Sequence, residues 1–169
     1  MIPMSVLITG ATGGIGGALA EAYARPGVML ILHGRNESRL AELKGRCEAL
    51  GARVIAAAFD LRDGVRLSAW LKEVCAGHPV DLLVVNAGVN TNIGPSGKGE
   101  RWEDVRALLE INVVSALATV DGVLPSMRAR GRGQIALIEI PQEVPEPINL
   151  VRLQRRTVGG QLLYEPAAV

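Results

Sequence analysis

Thr9-Gly10-Ala11-Thr12-Gly13-Gly14-Ile15-Gly16 follows an apolar run, Ser5 to Thr9, and opens a helical pattern in which Ile15, Leu19 and Tyr23 share one face. A glycine-rich turn between a strand and a helix lets the backbone approach a pyrophosphate closely. The amino terminus of the helix adds unpaired N–H groups and the positive end of its dipole. Glycines also serve ordinary turns, but this position inside a βαβ unit favours dinucleotide binding.

The first half of the chain continues to alternate short apolar runs with helical patterns. Strands that are apolar on both faces and alternate with helices indicate a parallel sheet covered on both sides. The sequence therefore predicts an α/β fold, a Rossmann-like doubly wound sheet of about five strands. The strands predicted after the first helix are Val28 to His33, Val54 to Phe59, Val80 to Val85 and Gln134 to Ile140. The predicted helices are one that is capped by Ser38, one at Gly64 to Ala76 and one at about Trp102 to Arg130.

The texture of the sequence changes near residue 140. Pro141, Pro145 and Pro147 lie close together, and no convincing periodicity follows them. We expect one nucleotide-binding domain over residues 1–140 and an irregular, divergent tail over 141–169, with no credible sixth strand.

The overall composition indicates an ordinary globular protein. The 169 residues carry a net charge of +1, which suggests neither a nucleic-acid nor a membrane partner. Cys47 and Cys75 have no metal-type spacing and are expected to be free thiols. No apolar run approaches the roughly 20 residues that span a bilayer. The segment Met1-Ile2-Pro3-Met4 lacks the features of a signal peptide, so we expect a cytoplasmic protein.

The end of the second strand reads His33-Gly34-Arg35-Asn36. An acidic residue there would bind the ribose 2′-hydroxyl of NAD, whereas an arginine accommodates the 2′-phosphate of NADP. Arg35 therefore favours NADP(H) over NAD(H). The alternative is a solvated surface arginine. His33 and His78 have no partner pattern and are interpreted as structural.

Four ordered motifs between Ser5 and Ile138 resemble the ordinary soluble members of the short-chain dehydrogenase/reductase family. The glycine turn matches the family's Thr-Gly-x-x-x-Gly-x-Gly, and Asn86-Ala87-Gly88 matches its Asn-Ala-Gly. Asp60-Leu61 resembles the Asp that the family uses beside adenine, and Asn112 resembles its active-site Asn. The cofactor-binding residues that this resemblance and the turn together imply are Thr9, Gly10, Thr12, Gly13, Gly14, Ile15, Gly16, Arg35, Asp60, Leu61, Asn86, Ala87 and Gly88.

Each of these motifs also has a plainer interpretation. Asp60 is expected to accept a hydrogen bond from the adenine amino group, or else to cap the helix that follows. Asn86 is expected to brace the sheet beside the nicotinamide, or else to form a structural turn. Asn112 is implied to be catalytic by holding a water in a proton relay. The alternative is an exposed Asn without a role.

The residues that do the family's chemistry are missing. The family places a Ser after the fifth strand and a Tyr-x-x-x-Lys on the next helix, where the ammonium lowers the pKa of the phenol. Here Glu139 and Ile140 occupy the Ser position, Tyr164 has Ala168 four residues later, and no lysine follows Lys98.

The resemblance therefore implies an NADP(H)-dependent oxidoreductase that acts on a small or medium carbonyl or alcohol substrate but is impaired in this chain. The alternative is a catalytically inactive NADP(H)-binding or interaction protein, and a third interpretation is an unstable product without a function. Family members usually form dimers or tetramers through the long helix, so a homo-oligomer through residues 102–130 is an open expectation.

A frameshift near Glu139 is one hypothesis for the missing half. If Leu153-Gln154-Arg155 were encoded by the codons CTA-CAG-CGC, the same stretch read one nucleotide later would give Tyr-Ser-Ala, a common opening of the family's catalytic motif. The same shift cannot turn Thr157 into Lys, because its codon would be read as CNG. Gene truncation, a splice variant and divergence are the alternatives.

Overall fold

The computed structural model describes residues 2–90 and 101–138, together with the strands 153–158 and 161–166, whose side chains are not described. Glu139 and Ile140, which occupy the position of the family's Ser, lie outside the described residues. So does the proline-rich stretch 141–150.

Five parallel strands form the central sheet in the order β3-β2-β1-β4-β5. The chain starts in the middle of the sheet, moves outward to β3 and then returns past β1 to β4 and β5. This order confirms the doubly wound, Rossmann-like sheet predicted from the sequence. The strands are β1 Ser5–Ile8, β2 Met29–Gly34, β3 Arg53–Ala58, β4 Leu82–Val85 and β5 Gln134–Leu137; the helices that follow β1, β2 and β3 are α1 Gly14–Tyr23, α2 Glu37–Ala49 and α3 Gly64–Gly77.

Both faces of the sheet are covered, so β1 and β4 are buried throughout. Alternate residues of β1 enter different hydrophobic clusters. Val6 and Ile8 belong to the cluster that includes buried residues of α1 and α2, whereas Leu7 belongs to the one that includes residues of α3. Burial on both faces is the reason that these strands read as continuous apolar runs.

Two helix caps differ from the sequence-based expectation. Asn36 caps α2, since its Oδ1 accepts a hydrogen bond from the N–H of Arg39 at 2.9 Å, so the predicted cap at Ser38 is wrong. Asp63 caps α3 through the N–H of Arg66 at 3.0 Å. Asp60 is therefore not the cap of that helix.

The long helical region consists of α4 Trp102–Leu109, a π-helical segment Glu110–Ser115 and α5 Ala116–Ala129. The long helical region predicted here is present, and it is π-helical in the middle, where a wider turn accommodates Asn112. By length and composition alone, Trp102–Ala129 is the one helix within the described ranges that could cross a membrane. This corrects the expectation that no such stretch exists, although a core helix of a soluble protein passes the same test.

Two further strands lie in the region expected to be irregular. β6 Leu153–Val158 and β7 Gln161–Pro166 pair antiparallel in a separate two-stranded sheet. The expectation of an irregular tail is wrong for these residues. Gly159-Gly160 between two short runs is a hairpin signal in the sequence. The division of the chain at residue 140 stays a prediction.

Arg130 joins the end of α5 to the start of β4. Its Nη2 donates to the carbonyl of Val80 at 2.6 Å and its Nη1 lies 3.3 Å from Oδ1 of Asp81, in a half-buried pair. We expect Arg130→Ala to lower the free energy of unfolding by about 1–3 kcal/mol, because the carbonyl and the carboxylate lose a charged donor. Urea titration of this variant beside the exposed Arg132→Ala measures the effect. Equal midpoints and slopes for the two variants would contradict it.

Candidate functional site

A cleft of about 490 Å³ lies at the carboxyl ends of the strands. Most of the residues predicted to bind a cofactor line it: Gly10, Thr12, Gly13, Gly14, Ile15, Arg35, Asp60, Leu61, Asn86, Ala87 and Gly88. Three predicted site residues, Thr9, Gly16 and Asn112, are not among its lining residues. The prediction missed five lining residues: His33, Gly34, Arg39, Val89 and Ile111.

The glycine turn is shaped by close backbone packing. Gly10 has a φ of +67°, and a Cβ on it would lie 2.7 Å from Cα of Ala87. A Cβ on Gly16 would lie 2.5 Å from the carbonyl oxygen of Gly10 and 2.6 Å from Nδ2 of Asn86. Around Gly14, by contrast, there is open space within 4 Å of such a Cβ. No side chain caps α1, so the start of this helix offers its N–H groups to the cleft.

Thr9 and Asn86 bind the end of β1 to the end of β4. The hydroxyl of Thr9 accepts hydrogen bonds from the N–H groups of Asn86 and Ala87, each at 3.1 Å. In return, Nδ2 of Asn86 donates to the carbonyls of Thr9 and Gly10, both at 3.1 Å. Asn86 therefore lies where it can brace β1 against β4, as expected. Thr9 is fully buried and supports the turn from behind.

Two arginines stand at the edge of the cleft where β2 ends. Arg35 follows β2, and Arg39 lies in the first turn of α2, and both are exposed. Between β2 and the glycine turn the packing is tight, because a Cβ on Gly34 would lie 2.6 Å from Cγ2 of Thr12. The sequence could have identified Arg39, because it falls in the first turn of the helix that begins directly after the end of β2.

Asp60 lines the cleft, but its carboxylate is held by Arg62. The guanidinium donates through Nη2 at 2.6 Å and through Nε at 3.0 and 3.1 Å, and the N–H of Arg62 donates at 3.0 Å. These hydrogen bonds, chiefly those from the guanidinium, lower the pKa of Asp60 to about 2. Nothing in the motif Asp60-Leu61 itself predicts this pairing.

Asn112 lies in the π-helical segment and reaches the chain just after β4. Its Oδ1 accepts from the N–H of Val89 and its Nδ2 donates to the carbonyl of Val89, both at 2.8 Å. The residue is exposed, but its amide pairs with a backbone group in the way that a neighbouring strand would. Asn112 is therefore not merely exposed, because both polar atoms of its amide have backbone partners. Its part in a proton relay stays a prediction.

His33 is 1% exposed, in keeping with the structural role expected for it, and it also lines the cleft. Its Nε2 lies 3.0 Å from the carbonyl oxygen of Phe59. Burial lowers the pKa of His33 to about 4, so the ring is neutral at pH 7. Because a carbonyl only accepts, Nε2 carries the proton and donates it to Phe59.

Across the described part of the chain, no group of three or more His, Cys, Asp or Glu residues is placed to hold a metal ion. The polar side chains that line the cleft are those of Thr12, His33, Arg35, Arg39, Asp60 and Asn86.

Similar proteins extend well beyond the length of this chain. An uncharacterized oxidoreductase of Myxococcus xanthus is 35% identical over 78% of this chain and 51% of its own length. The ketoacyl reductase HetN of Nostoc is 32% identical over 79% and 46%. The NADP-dependent 3-hydroxy acid dehydrogenase YdfG of Salmonella typhi is 34% identical over 78% and 52%. The chain spans about half the length of the curated relatives that it matches.

Solved structures show the same fold with a cofactor. A 3-oxoacyl (acyl-carrier-protein) reductase of Agrobacterium tumefaciens with NADP bound has a TM-score of 0.70 and 32% identity, covering 79% of this chain and 51% of that one. A metagenomic short-chain oxidoreductase in complex with NADP has a TM-score of 0.75 and 28% identity, covering 82% and 63%. The sequence model for short chain dehydrogenases matches residues 4–140. The chain therefore belongs to the short-chain dehydrogenase/reductase family.

Proposed function

We propose that this chain binds a nicotinamide dinucleotide in the cleft and prefers NADP(H) to NAD(H). The observation that carries the proposal is one continuous cleft lined by the uncapped start of α1 together with Arg35 and Arg39. The N–H groups of the turn suit a pyrophosphate, and two guanidinium groups suit a 2′-phosphate. The NADP-bound neighbours and the NADP-dependent relative support the same assignment.

The rest of the cleft divides between the two ends of the cofactor. Asp60 and Leu61 lie at the end of β3, beside Arg35, and would hold the adenine. The Asn86-Ala87-Gly88 turn follows the central strand β4 and would line the nicotinamide. Asn112 would act on the same end, through its hydrogen bonds to Val89 beyond that turn.

Removing the arginines tests the preference for NADP(H). We expect Arg35→Ala and Arg39→Ala each to raise the Kd for NADPH about tenfold or more, because each loses a charge-assisted contact with the 2′-phosphate. The Kd for NADH should change less than about twofold, since NADH has no such group. Fluorescence titration of both cofactors measures the ratio, and exposed Arg53, at the opposite end of the sheet, supplies the control Arg53→Ala. Equal losses for NADPH and NADH would contradict the assignment.

For the reaction, the family implies hydride transfer between the nicotinamide and a carbonyl or alcohol substrate. In this chain we expect binding with impaired or absent turnover, because its only tyrosines are Tyr23 and Tyr164 and its last lysine is Lys98. A catalytically inactive NADP(H)-binding or interaction protein is the second candidate, favoured by the same absence. NADPH oxidation with a panel of aldehydes and ketones separates the two, since turnover above background would refute inactivity.

We also propose a cytoplasmic location and a homo-oligomeric assembly for this protein. A cytoplasmic location accords with the composition and the cofactor. A homo-oligomer through residues 102–130 accords with the exposure of Val114 and Leu117, at 61% and 65%, on the long helix. Light scattering of the purified chain would show the oligomeric state. Resequencing the gene beyond the codon for Glu139 would separate a frameshift from divergence.

A further inference from the structure

A cluster of three rings, those of His33, Phe59 and Trp70, lies next to the cleft, and of the three only His33 lines it. The ring of His33 stands edge-to-face on Phe59, with centroids 4.5 Å apart, and lies 5.7 Å from Trp70. Phe59 and Trp70 are also edge-to-face at 5.4 Å. His33 and Phe59 are almost completely buried and Trp70 is half-buried, so the cluster belongs mainly to the interior.

The polar contacts of this cluster fix the end of β3. The last paired residues of β2 and β3 are Gly34 and Ala58, and the N–H of Phe59 still donates to Gly34 at 3.3 Å. Beyond that point the donor is a side chain and not the neighbouring strand, because Nε2 of His33 donates to the carbonyl of Phe59 at 3.0 Å. Arg66 donates to the carbonyl of Ala58 at 3.1 Å and lies 5.0 Å over the ring of Phe59.

The peptide group held by His33 is the one that leads directly into Asp60 and Leu61, both of which line the cleft. An apolar ring at position 33 would fill the same space but would leave the carbonyl of Phe59 without this donor. We propose that His33 is a positioning residue for adenine recognition, and that its hydrogen bond to Phe59 holds Asp60 and Leu61 against the cofactor. The inference rests on the proposed cofactor binding and deepens it.

The test compares two dinucleotides that differ only in the base. Adenine presents an amino donor at its position 6, whereas hypoxanthine presents a carbonyl oxygen, so a correctly held Asp60 favours NADPH over its hypoxanthine counterpart. We expect the wild-type chain to bind NADPH about tenfold more tightly than the hypoxanthine dinucleotide. His33→Phe should reduce this ratio to nearly one. A purely structural loss would weaken both ligands equally and leave the ratio unchanged.

Matched variants separate the hydrogen bond from the packing. His33→Gln places an amide donor near the position of Nε2 and should restore much of the ratio. His33→Asn carries the same amide too close to the backbone, so it should not, and it serves as the second variant if His33→Phe does not fold. Trp70→Phe alters the ring cluster without touching the Phe59 carbonyl and should keep the wild-type ratio.

The outcomes distinguish this inference from the proposed function. If the wild-type chain binds neither dinucleotide, the proposed function fails and the inference fails with it. If the wild-type chain binds NADPH but does not discriminate between the bases, or if His33→Phe and His33→Asn keep the full ratio, the role of His33 is refuted while cofactor binding stands.

Discussion

Replacing Gly16 with alanine is expected to abolish dinucleotide binding and to lower the free energy of unfolding by about 1–3 kcal/mol. The added Cβ would lie 2.5 Å from the carbonyl oxygen of Gly10, 2.6 Å from Nδ2 of Asn86 and 2.9 Å from Cα of Ala11. Two of these three atoms belong to backbone, so relief requires a shift of the turn itself. Because Asn86 donates to Gly10, the same shift breaks the link between β1 and β4.

Gly17 provides the control for this substitution. It is the next residue of α1, and a Cβ on it would lie 3.4 Å from the carbonyl oxygen of Ala11, an ordinary contact. Alanine inside a helix is more favourable than glycine by up to about 1 kcal/mol, so Gly17→Ala should keep or raise stability. Urea unfolding and NADPH titration of both variants measure the two effects. An unchanged Kd for NADPH in Gly16→Ala would show that the turn does not form the cofactor site.

The second large effect is a loss of stability in mild acid that comes from His33. Burial lowers the pKa of His33 from 6.5 to about 4 in the folded chain. The unfolded chain therefore binds the proton more tightly, and protonation favours unfolding. The contribution of the neutral ring to the free energy of unfolding is complete above pH 6.5. It falls as the pH drops from 6.5 to 4 and is lost below pH 4. Over this window it amounts to about 3 kcal/mol.

The effect of His33 protonation can be isolated by measuring the free energy of unfolding at pH 7 and at pH 4, in the wild type and in His33→Phe. Titration of the carboxylates is common to both proteins and cancels in the comparison. Asp60 in particular stays ionised across this range, since Arg62 lowers its pKa to about 2. We expect the wild type to lose more stability than the variant by about 3 kcal/mol. Parallel losses in the two proteins would show that the His33 ring is not held neutral.

The fold, the glycine turn and the residues at the strand ends could be predicted because the sequence signals for them are local. An apolar run that ends in Thr9 and a glycine cluster predicts both a buried strand and the turn that follows it. Arg35 and Asp60 could be placed at the cleft because each follows a predicted strand, and the carboxyl ends of parallel strands share one edge of the sheet.

Two of the features that the sequence does not predict depend on contacts between distant residues, and two others are local. The π-helical turn accommodates Asn112, whose amide bonds to Val89, 23 residues away. His33 looked like an isolated structural histidine because Phe59 and Trp70 lie on different elements. The pairing of Asp60 with Arg62 is local, but it depends on side-chain direction, which the spacing does not give. The cap at Asn36 was missed because Ser38, two residues later, is an equally suitable residue type.

The sequence signals that this chain shares with the family belong to the cofactor cleft and not to the catalytic residues. The described residues supply a cofactor cleft, and the strongest family signals, from the glycine turn to Asn112, all belong to it. The family's Ser and Tyr-x-x-x-Lys would come from sequence beyond residue 138, where Glu139 and Ile140 occupy the Ser position and Tyr164 has Ala168, not a lysine, four residues later. The proposed function therefore expects cofactor binding with impaired or absent turnover.

Equilibrium titration of the folded chain with NADPH and NADH tests the central claim most directly. Circular dichroism first confirms that the chain is folded, and the fluorescence of the reduced nicotinamide then reports binding. We predict saturation at one NADPH per chain, with NADH bound at least about tenfold more weakly. A folded chain that binds neither cofactor, or that binds NADH more tightly than NADPH, would contradict the account.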